Sequence, residues 1–373
     1  MNEQHLHIIT HDVPYPADFG GVVDAFYKIK ALSEIGIKIK LHCFTNKRSE
    51  QLTLEEYCET VTYYPRKTIR GFSLKLPYIV ASRNDKKLLQ NLQKDNFPIL
   101  FEGVHTTYFL YKNKLPGRKI FLRILNVESI YYTYLAAHEK NIVKRFYYAN
   151  EAKLLKKYEY NIANQAVIFA LSTADKEFFQ LSNKAKSIIF LPAFLQNDTV
   201  TTNIGNGKYC LYHGNLRVNE NEKAAFWLVE HVFSKMTIPL VIAGHNPSKS
   251  LKKTIKKYNH ISIVDTPSEK NMQLLVANAQ INILPSFNNT GIKLKLLNAL
   301  YNGRFCVVNK AGVEGSGLND LCILAETAED FTEKINHLFT AEFSVKEMQH
   351  RSTALNKLYN NEQSARIITD MLS

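Results

Sequence analysis

The sequence predicts an α/β protein built from two doubly wound, parallel-sheet domains. Short apolar runs alternate with helical segments along the chain, which is the pattern of consecutive β-α-β units. The alternation stops at a polar segment, 196–207, and then restarts. The length of 373 residues is too great for one ordinary core and suits two domains of roughly 150–200 residues.

The first 45 residues give the clearest pattern of elements. Apolar residues at 5–10 predict a strand, and a turn-rich loop follows at 11–21. Apolar side chains recur at helical spacing over 22–35, and Gly36 is a natural helix stop. The apolar run 37–44 predicts the next strand, which completes a β-α-β unit.

The remaining elements follow the same alternation. Strands are predicted at 99–101, 120–124, 166–171, 188–191, 209–213, 239–243, 261–264, 281–284 and 305–309. Helices are predicted at 142–164, 222–233, 291–301 and within 344–373. We therefore predict a first domain at 1–195, a linker at 196–207 and a second domain at 208–354. The terminal helix, about 355–373, is expected to pack back on the first domain.

Charge and cysteine content narrow the class of function. The net charge of +13 favours phosphorylated small molecules, anionic lipid or nucleic acid as partners, although a merely solvated basic surface gives the same total. No RNA-binding motif accompanies the aromatic residues, so we predict no nucleic-acid partner. The five cysteines are widely spaced and form no CxxC pair, which argues against a zinc site or a disulfide framework. Without a signal peptide or a long apolar stretch, a cytoplasmic protein is expected.

Three loops are candidates for ligand binding, because ligands of open α/β sheets lie beyond the carboxyl ends of the strands. The first, 11–21, ends in Gly20 and Gly21, which allow close backbone approach, although the GxGxxG fingerprint is absent. The second, 213–221, carries small and amide side chains. The third, 285–291, leads into a helix predicted to begin near Gly291.

The third loop gives the strongest indication of an anion site. Lys293 and Lys295 fall in the first turn of the predicted helix, with Asn289 or Thr290 as its cap. Cations at a helix N-terminus oppose the macrodipole, so they make sense when a polyanion binds there. Ordinary surface lysines remain the alternative.

The order and spacing of several segments resemble the bacterial retaining glycosyltransferases of GT-B fold, in glycosyltransferase family 4. The resemblance covers nearly the whole chain. Its segments are 14–21, 123–128, 214–221 with Ala225, Trp227 and Leu228, 291–303, 307–308 and 312–315.

The resemblance implies a fold and a reaction. The fold would be two Rossmann-like domains facing a central cleft, with the acceptor side in the first domain and the donor site in the second. The reaction would move a sugar from a nucleotide-diphosphate sugar to a hydroxyl of a glycan or lipid-linked acceptor, with retention, in polysaccharide or glycoconjugate biosynthesis. The sugar nucleotide would be a co-substrate, and no cofactor or metal is implied. The basic charge makes peripheral association with the anionic inner face of the cytoplasmic membrane an expectation.

The resemblance also implies roles for particular residues. His105 is the predicted catalytic residue, nearest the reacting sugar, with an ordinary loop histidine as the alternative. The predicted donor-binding residues are Gly20, Gly21, Gly214, Asn215, Arg217, Gly291, Lys293, Lys295, Asn298 and Glu314. The predicted acceptor-side residues are Glu102, Arg123, Asn126 and Glu128.

The chain departs from the family pattern at charged positions. Thr290 and Asn298 stand where many members carry a pair of glutamates, and Asn215 and Asn221 stand where many carry Arg and Lys. The phosphate charge must then be met by Lys293, Lys295 and Arg217. Two alternatives remain open: a sugar-nucleotide epimerase of the same fold, and a catalytically degenerate protein that binds a nucleotide sugar.

Overall fold

The computed structural model describes residues 3–18, 20–68, 73–197, 199–288 and 291–372. The chain divides into two compact units. The first unit comprises Met1–Gln196 and Tyr359–Ser373, and the second comprises Asn197–Leu358. Each unit is a parallel sheet with helices, so the predicted pair of Rossmann-like, parallel-sheet domains is confirmed.

The first unit has seven strands in its described residues, in the spatial order β3-β2-β1-β4-β5-β6-β7. The strands are β1 His5–Thr10, β2 Lys38–Thr45, β3 Thr60–Pro65, β4 Ile99–Glu102, β5 Ile120–Ile124, β6 Val167–Ala170 and β7 Ile188–Phe190. The helices are α1 Gly20–Glu34, α2 Tyr78–Ala81, α3 Lys86–Leu92, α4 Tyr108–Tyr111, α5 Glu128–His138, α6 Ile142–Ile162, α7 Thr173–Leu181 and, after the second unit, α15 Asn361–Asp370. In the central register Ile9 lies opposite both His42 and Phe101.

The terminal helix α15 belongs to the first unit because of its apolar face. Ala365 and Ile368 are fully buried in the same core as Ile29 and Leu32 of α1. At its start, Asn361 accepts a hydrogen bond from the Leu195 amide at 3.0 Å and donates one to the Leu195 carbonyl at 2.7 Å. The end of the first sheet and the end of the chain are thereby fixed to each other.

The second unit has six strands in its described residues, in the order β10-β9-β8-β11-β12-β13. The strands are β8 Cys210–His213, β9 Leu240–Gly244, β10 Ile261–Asp265, β11 Ile281–Ile283, β12 Phe305–Val308 and β13 Ile323–Leu324. The helices are α8 Asn219–Trp227, α9 Lys249–Ile255, α10 Glu269–Asn278, α11 Leu294–Asn302, α12 Lys310–Val313, α13 Ala328–Phe339 and α14 Val345–Leu358. The strand order reverses between β8 and β11, and such a switch point is where open α/β sheets bind ligands.

The segment predicted as a linker, 196–207, is packed against the second unit over most of its length. The Thr201 amide donates to the Tyr301 carbonyl at 2.8 Å, and the Gly205 amide donates to the Phe343 carbonyl at 2.9 Å. Polar side chains of the segment also bond to the second unit: Oγ1 of Thr201 donates to Oδ1 of Asn302 at 2.8 Å, and Oγ1 of Thr202 donates to the Gly303 carbonyl at 3.0 Å.

Helix α11 begins at Leu294, three residues later than the sequence predicted. Gly291 has a φ of +65°, a left-handed conformation that cannot open a right-handed helix. Lys293 is the N-cap residue and makes no side-chain capping bond. The caps that the sequence suggested, Asn289 and Thr290, lie outside the described residues.

Among the described residues, no helix is both long enough and apolar enough to cross a membrane.

Candidate functional site

The two loops at the switch point of the second unit are joined by Lys295. Its Nζ atom, at the start of α11, lies 3.1 Å from Oδ1 of Asn221 on α8. The same Nζ stands 5.1 Å from the centroid of the Tyr212 ring, at the end of β8. Asn221 in turn donates from Nδ2 to the Asn215 carbonyl at 3.0 Å. The structure thus brings together three of the residues that mark the donor loops in the sequence.

The environment of Lys295 suits an anion. The pKa of Lys295 is lowered to about 8, chiefly by burial; Glu220 opposes this shift and Lys293 adds to it. A cation that has lost most of its water interacts more strongly with a charged ligand than a surface lysine does. A phosphate that bound beside Lys295 would therefore interact with it more strongly than with a fully solvated lysine.

Glu220 is a member of this site that the sequence reasoning missed. Its carboxylate, in the first turn of α8, accepts from Oγ of Ser286 at 3.4 Å and from Nδ2 of Asn288 at 3.2 Å. It thereby anchors the loop after β11 to the start of α8. The one signal in the sequence was an acidic residue at a helix start, which is too common to indicate a site.

His213 adds a buried polar group at the same edge. It ends β8 and is 4% exposed, and its Nε2 atom has no hydrogen-bond partner among the described residues. Burial lowers the pKa of His213 to about 3, and the charge of Lys295 adds to that effect. The imidazole is therefore neutral and offers hydrogen bonds rather than charge.

Glycines are required where the first donor loop meets its neighbours. A Cβ on Gly214 would lie 3.3 Å from Cγ of Asn221, and a Cβ on Gly244 would lie 1.9 Å from the Gly214 carbonyl oxygen. The second contact is impossible for any larger residue, so the close approach of the Gly214 carbonyl to β9 requires a glycine at 244.

A cavity of about 520 Å³ opens beside this loop. Its lining residues are Leu216, Arg217, Glu222, Asn246 and Ser248. The predicted donor residue Arg217 is exposed, and Glu222 accepts from the Ser248 amide at 2.8 Å. Cavities of this size hold small ligands in many proteins.

Two further predicted donor residues, Asn298 and Glu314, have other surroundings. Asn298 accepts at Oδ1 from Nδ2 of Asn302 at 2.8 Å. Glu314 is exposed at the end of the short helix α12. Among the described hydrogen bonds and ion pairs, none joins either residue to Lys295.

In the first unit, His105 stands against a second histidine. It lies in the 3-10 turn Val104–Thr106 after β4, with its ring centroid 5.1 Å from that of His11, which follows β1. The Nδ1 atom of His105 has no hydrogen-bond partner among the described residues. Burial lowers the pKa of His11 to about 3, and burial together with His11 holds the pKa of His105 well below its usual value. Both rings are neutral hydrogen-bonding groups.

Glycine residues make room for these rings. A Cβ on Gly21, just after the first residue of α1, would lie 2.9 Å from Cε1 of His11. A Cβ on Gly103, which has a φ of +77°, would lie 2.9 Å from Nδ1 of His105. The sequence indicated the Gly20-Gly21 pair but missed His11, whose only signal was its position after a predicted strand.

The structure places Glu102 and Arg123, both predicted on the acceptor side, in a buried ion cluster. Both side chains are fully buried. Glu102 lies 2.7 Å from Nζ of Lys28, and Arg123 pairs with Asp24 at 2.8 Å. Four charged groups that neutralise one another inside the sheet are part of the core, and they do not face a substrate.

The other two predicted acceptor-side residues follow β5. The Oδ1 atom of Asn126 is buried and has no hydrogen-bond partner among the described residues. Glu128 is buried as the first residue of α5. Burial and the nearby Glu159 raise the pKa of Glu128 to about 8, and burial raises that of Glu159 to about 7.

Comparisons with known proteins agree with this architecture. Residues 207–341 match the family model of Glycosyl transferases group 1. A protein of Klebsiella pneumoniae, described as an uncharacterized 44.6 kDa protein in the cps region, is 28% identical over 339 residues, which cover 84% of each chain.

Solved structures extend the likeness to the whole chain. A glycosyltransferase of Rickettsia africae superposes with a TM-score of 0.68 at 13% identity, covering 100% of this chain and 98% of that one. HepE of Anabaena, in complex with UDP and glucose, gives a TM-score of 0.69 at 12% identity over 99% of each chain. A TarM variant of S. aureus, in complex with UDP, gives 0.68 at 10% identity over 99% of this chain and 100% of that one. The resemblance to group 1 glycosyltransferases and the GT-B fold are thereby confirmed.

Proposed function

We propose that this chain is a glycosyltransferase of group 1 type, which transfers a sugar from a nucleotide-diphosphate sugar to a hydroxyl of a glycan or lipid-linked acceptor. Retention of anomeric configuration is part of the proposal. The relative in a cps region supports a place in polysaccharide biosynthesis. Two similar structures contain UDP, which supports a nucleoside diphosphate as the group to be bound.

The observation that carries the proposal is the contact between Lys295 and Asn221. It places a desolvated cation between the two loops that follow β8 and β11, where the family resemblance expects the diphosphate. Backbone amides at the start of α11 would supply further donors. The adjacent cavity lined by Arg217 and Asn246 supports room for the nucleoside.

The chemical role of this site is to stabilise the leaving group. As the bond between the sugar and the diphosphate breaks, negative charge develops on the phosphate oxygens. Preorganised N–H donors and a nearby cation lower the energy of that charge more in the transition state than in the ground state. Lys295 and the amides of α11 would do this without bound metal, and metal independence is part of the proposal.

The first unit would supply hydrogen bonds to sugar or acceptor hydroxyls. His105 and His11 are neutral rings at the carboxyl ends of β4 and β1. A neutral imidazole both donates and accepts, which matches the chemistry of a hydroxyl. In this assignment His105 is the catalytic residue closest to the reacting sugar.

The test begins with binding. UDP, GDP, ADP and dTDP, and sugar nucleotides of each, would be screened for a rise in the thermal unfolding midpoint, since a ligand of the native state stabilises it by mass action. The sugar nucleotide with the largest effect would then be supplied with extracted glycolipid, and radiolabel transfer measured. Transfer supports the proposal. Binding without transfer or hydrolysis would favour a catalytically degenerate binder, and conversion of the sugar nucleotide without acceptor would favour an epimerase.

A further inference from the structure

The turn between α5 and α6 exposes a compact apolar patch. Ile142, Val143 and Phe146 are 62%, 78% and 70% exposed. They occupy the first turn and a half of α6, at spacings of one, three and four residues, so they share one side of the helix. Large apolar side chains this exposed are costly in water when they adjoin one another.

Cations border these side chains. Lys140, Lys144 and Arg145 are all exposed at the same turn. The nearest acidic residue, Glu139, accepts a hydrogen bond from the Asn141 amide. Further along α6, Glu151 is buried and accepts from the Tyr78 amide. The turn therefore presents three apolar side chains and three cations, beside one carboxylate, Glu139, whose hydrogen bond lies within the turn itself. We call Lys140–Phe146 the hairpin tip.

The base of the hairpin is firmly built. Leu155, Tyr158 and Ile162 of α6 are buried in the core. The carboxylate of Glu159 accepts from the Glu128 amide at 2.8 Å and from Oγ of Ser129 at 2.5 Å. Asn141 caps α6 by accepting from the Lys144 amide. The packing of α6 and its hydrogen bonds to α5 therefore fix the position of the hairpin tip.

Elsewhere in the described part of the first unit, the most exposed apolar residues, such as Leu52 and Leu181, are far apart in the sequence. Leu52 and Leu181 are 80% and 79% exposed, and they lie on separate elements. Single exposed apolar residues are normal on protein surfaces. The hairpin tip differs because three of them adjoin and because cations surround them.

We propose that the hairpin tip docks on an anionic phospholipid membrane, with Ile142, Val143 and Phe146 entering the headgroup region. Apolar side chains interleaved with Lys and Arg are the composition of membrane-surface segments. The net charge of +13 adds a long-range attraction to such a surface. Docking goes beyond sugar transfer and does not depend on it.

A second copy of the chain is a poorer occupant of this surface. Self-association through the tip would bring Lys140, Lys144 and Arg145 of one copy against the same cations of the other. A membrane of anionic lipid instead accepts both the apolar and the charged groups. The commitment to lipid rests on this complementarity.

The apolar part of the proposal is tested with a double variant, Val143→Ser with Phe146→Ser. Co-sedimentation would be measured with vesicles of phosphatidylglycerol and phosphatidylcholine, and with phosphatidylcholine alone. We expect the wild-type chain to bind the anionic vesicles and the double variant to bind them at least about tenfold more weakly. Leu181→Ser, equally exposed on α7, is the matched control and should bind as the wild type does.

The electrostatic part is tested with Lys144→Gln together with Arg145→Gln. Each cation removed should weaken vesicle binding about fivefold, and high salt should abolish most of the remaining attraction. Lys86→Gln with Lys87→Gln, an exposed pair on α3, is the control. Unchanged thermal unfolding midpoints would show that all variants fold.

Three results would overturn the proposal. The first is a wild-type chain that does not bind anionic vesicles. The second is an apolar double variant that binds them as tightly as the wild type does. The third is a dimer, seen by analytical ultracentrifugation, that the same double variant dissociates. Failure of sugar transfer with intact vesicle binding would contradict the proposed function alone.

Discussion

Lys295 Nζ lies 3.1 Å from Asn221 Oδ1, so a cation carried by α11 occupies the place between the donor loops next to α8. In the family that the chain resembles, many members carry a lysine at the position of Asn221. The contact explains how this chain keeps a positive charge at that point: the lysine comes from the other loop. A second contact joins the same two segments: the carboxylate of Glu220, on α8, accepts a hydrogen bond from Asn288 in the loop after β11.

Glu220→Gln is expected to separate nucleotide binding from transfer. Removing a negative charge near Lys295 should tighten binding of the nucleoside diphosphate found in the thermal-shift screen by about threefold. Transfer should fall about tenfold, because the amide accepts less strongly from Ser286 and Asn288. Isothermal titration and initial rates measure the two effects. Glu230→Gln, exposed in the turn after α8, should change neither, and weaker nucleotide binding with normal transfer would contradict this role.

His105→Ala is expected to lower the rate of transfer about 10- to 100-fold while leaving nucleoside diphosphate affinity within about twofold. The wild-type rate should also show no inflexion near pH 6.5 from this residue, since the pKa of His105 lies well below its usual value. The pH profile of kcat checks both points. His138→Ala, exposed at the end of α5, is the control, and an equal loss in both variants would remove His105 from the site.

Lys28→Met is expected to destabilise the first unit by about 3–5 kcal/mol, because it leaves the buried carboxylate of Glu102 without a partner cation and leaves Asp24 with Arg123 alone. Lys30→Met on the same helix should have an effect below about 1 kcal/mol, since its contact with Glu34 is exposed. Denaturant unfolding measures both. Equal effects would show that the buried ion cluster does not support the core.

Glu128→Gln is expected to flatten the dependence of stability on pH. The pKa of Glu128 is raised to about 8 in the folded chain, against about 4.3 in an unfolded one. The folded state therefore binds more protons between these values, and its stability falls as the pH rises from about 4.5 to 8. The neighbours of Glu128 are Glu159, Asp175 and Arg83.

The glutamine variant should be more stable than the wild type at pH 8 by at least about 1 kcal/mol, and little different at pH 5. Unfolding midpoints in denaturant across this range test it. Glu139→Gln, in the loop after the same helix, is the control. A wild-type stability that rises from pH 5 to 8, with no change in the variant, would contradict the assignment.

The parts of the fold that depend on local pattern were predictable. The run from His5 to Thr45 reads as strand, helix and strand because its apolar spacing is periodic. The start of α11 was misplaced because Gly291, which looks like a helix opening, adopts a left-handed φ. Packing of 196–207 on the second unit depends on partners such as Tyr301 and Phe343, which are distant in the sequence.

The residues of the candidate site also differ in whether a local sequence pattern could predict their surroundings. The position of Lys295 at the start of the helix after β11 was predictable from the local pattern, and its role toward an anion stays a prediction. The buried state of Arg123 was not predictable, because its partner Asp24 is 99 residues away. Glu220 was missed for the same reason, since Asn288 is 68 residues away. Chemistry that depends on one loop can be read from sequence, whereas a role set by pairing between loops requires the fold.

The most direct test of the donor site is the affinity of Lys295→Ala for the nucleoside diphosphate found in the thermal-shift screen. We expect the dissociation constant to rise at least about tenfold and the rate of transfer to fall about 10²–10³-fold, because the buried cation acts most strongly on the charge of the transition state. Lys270→Ala, exposed on α10, should leave both unchanged. Unaltered nucleotide affinity and turnover in Lys295→Ala, measured by titration calorimetry and initial rates, would contradict the account.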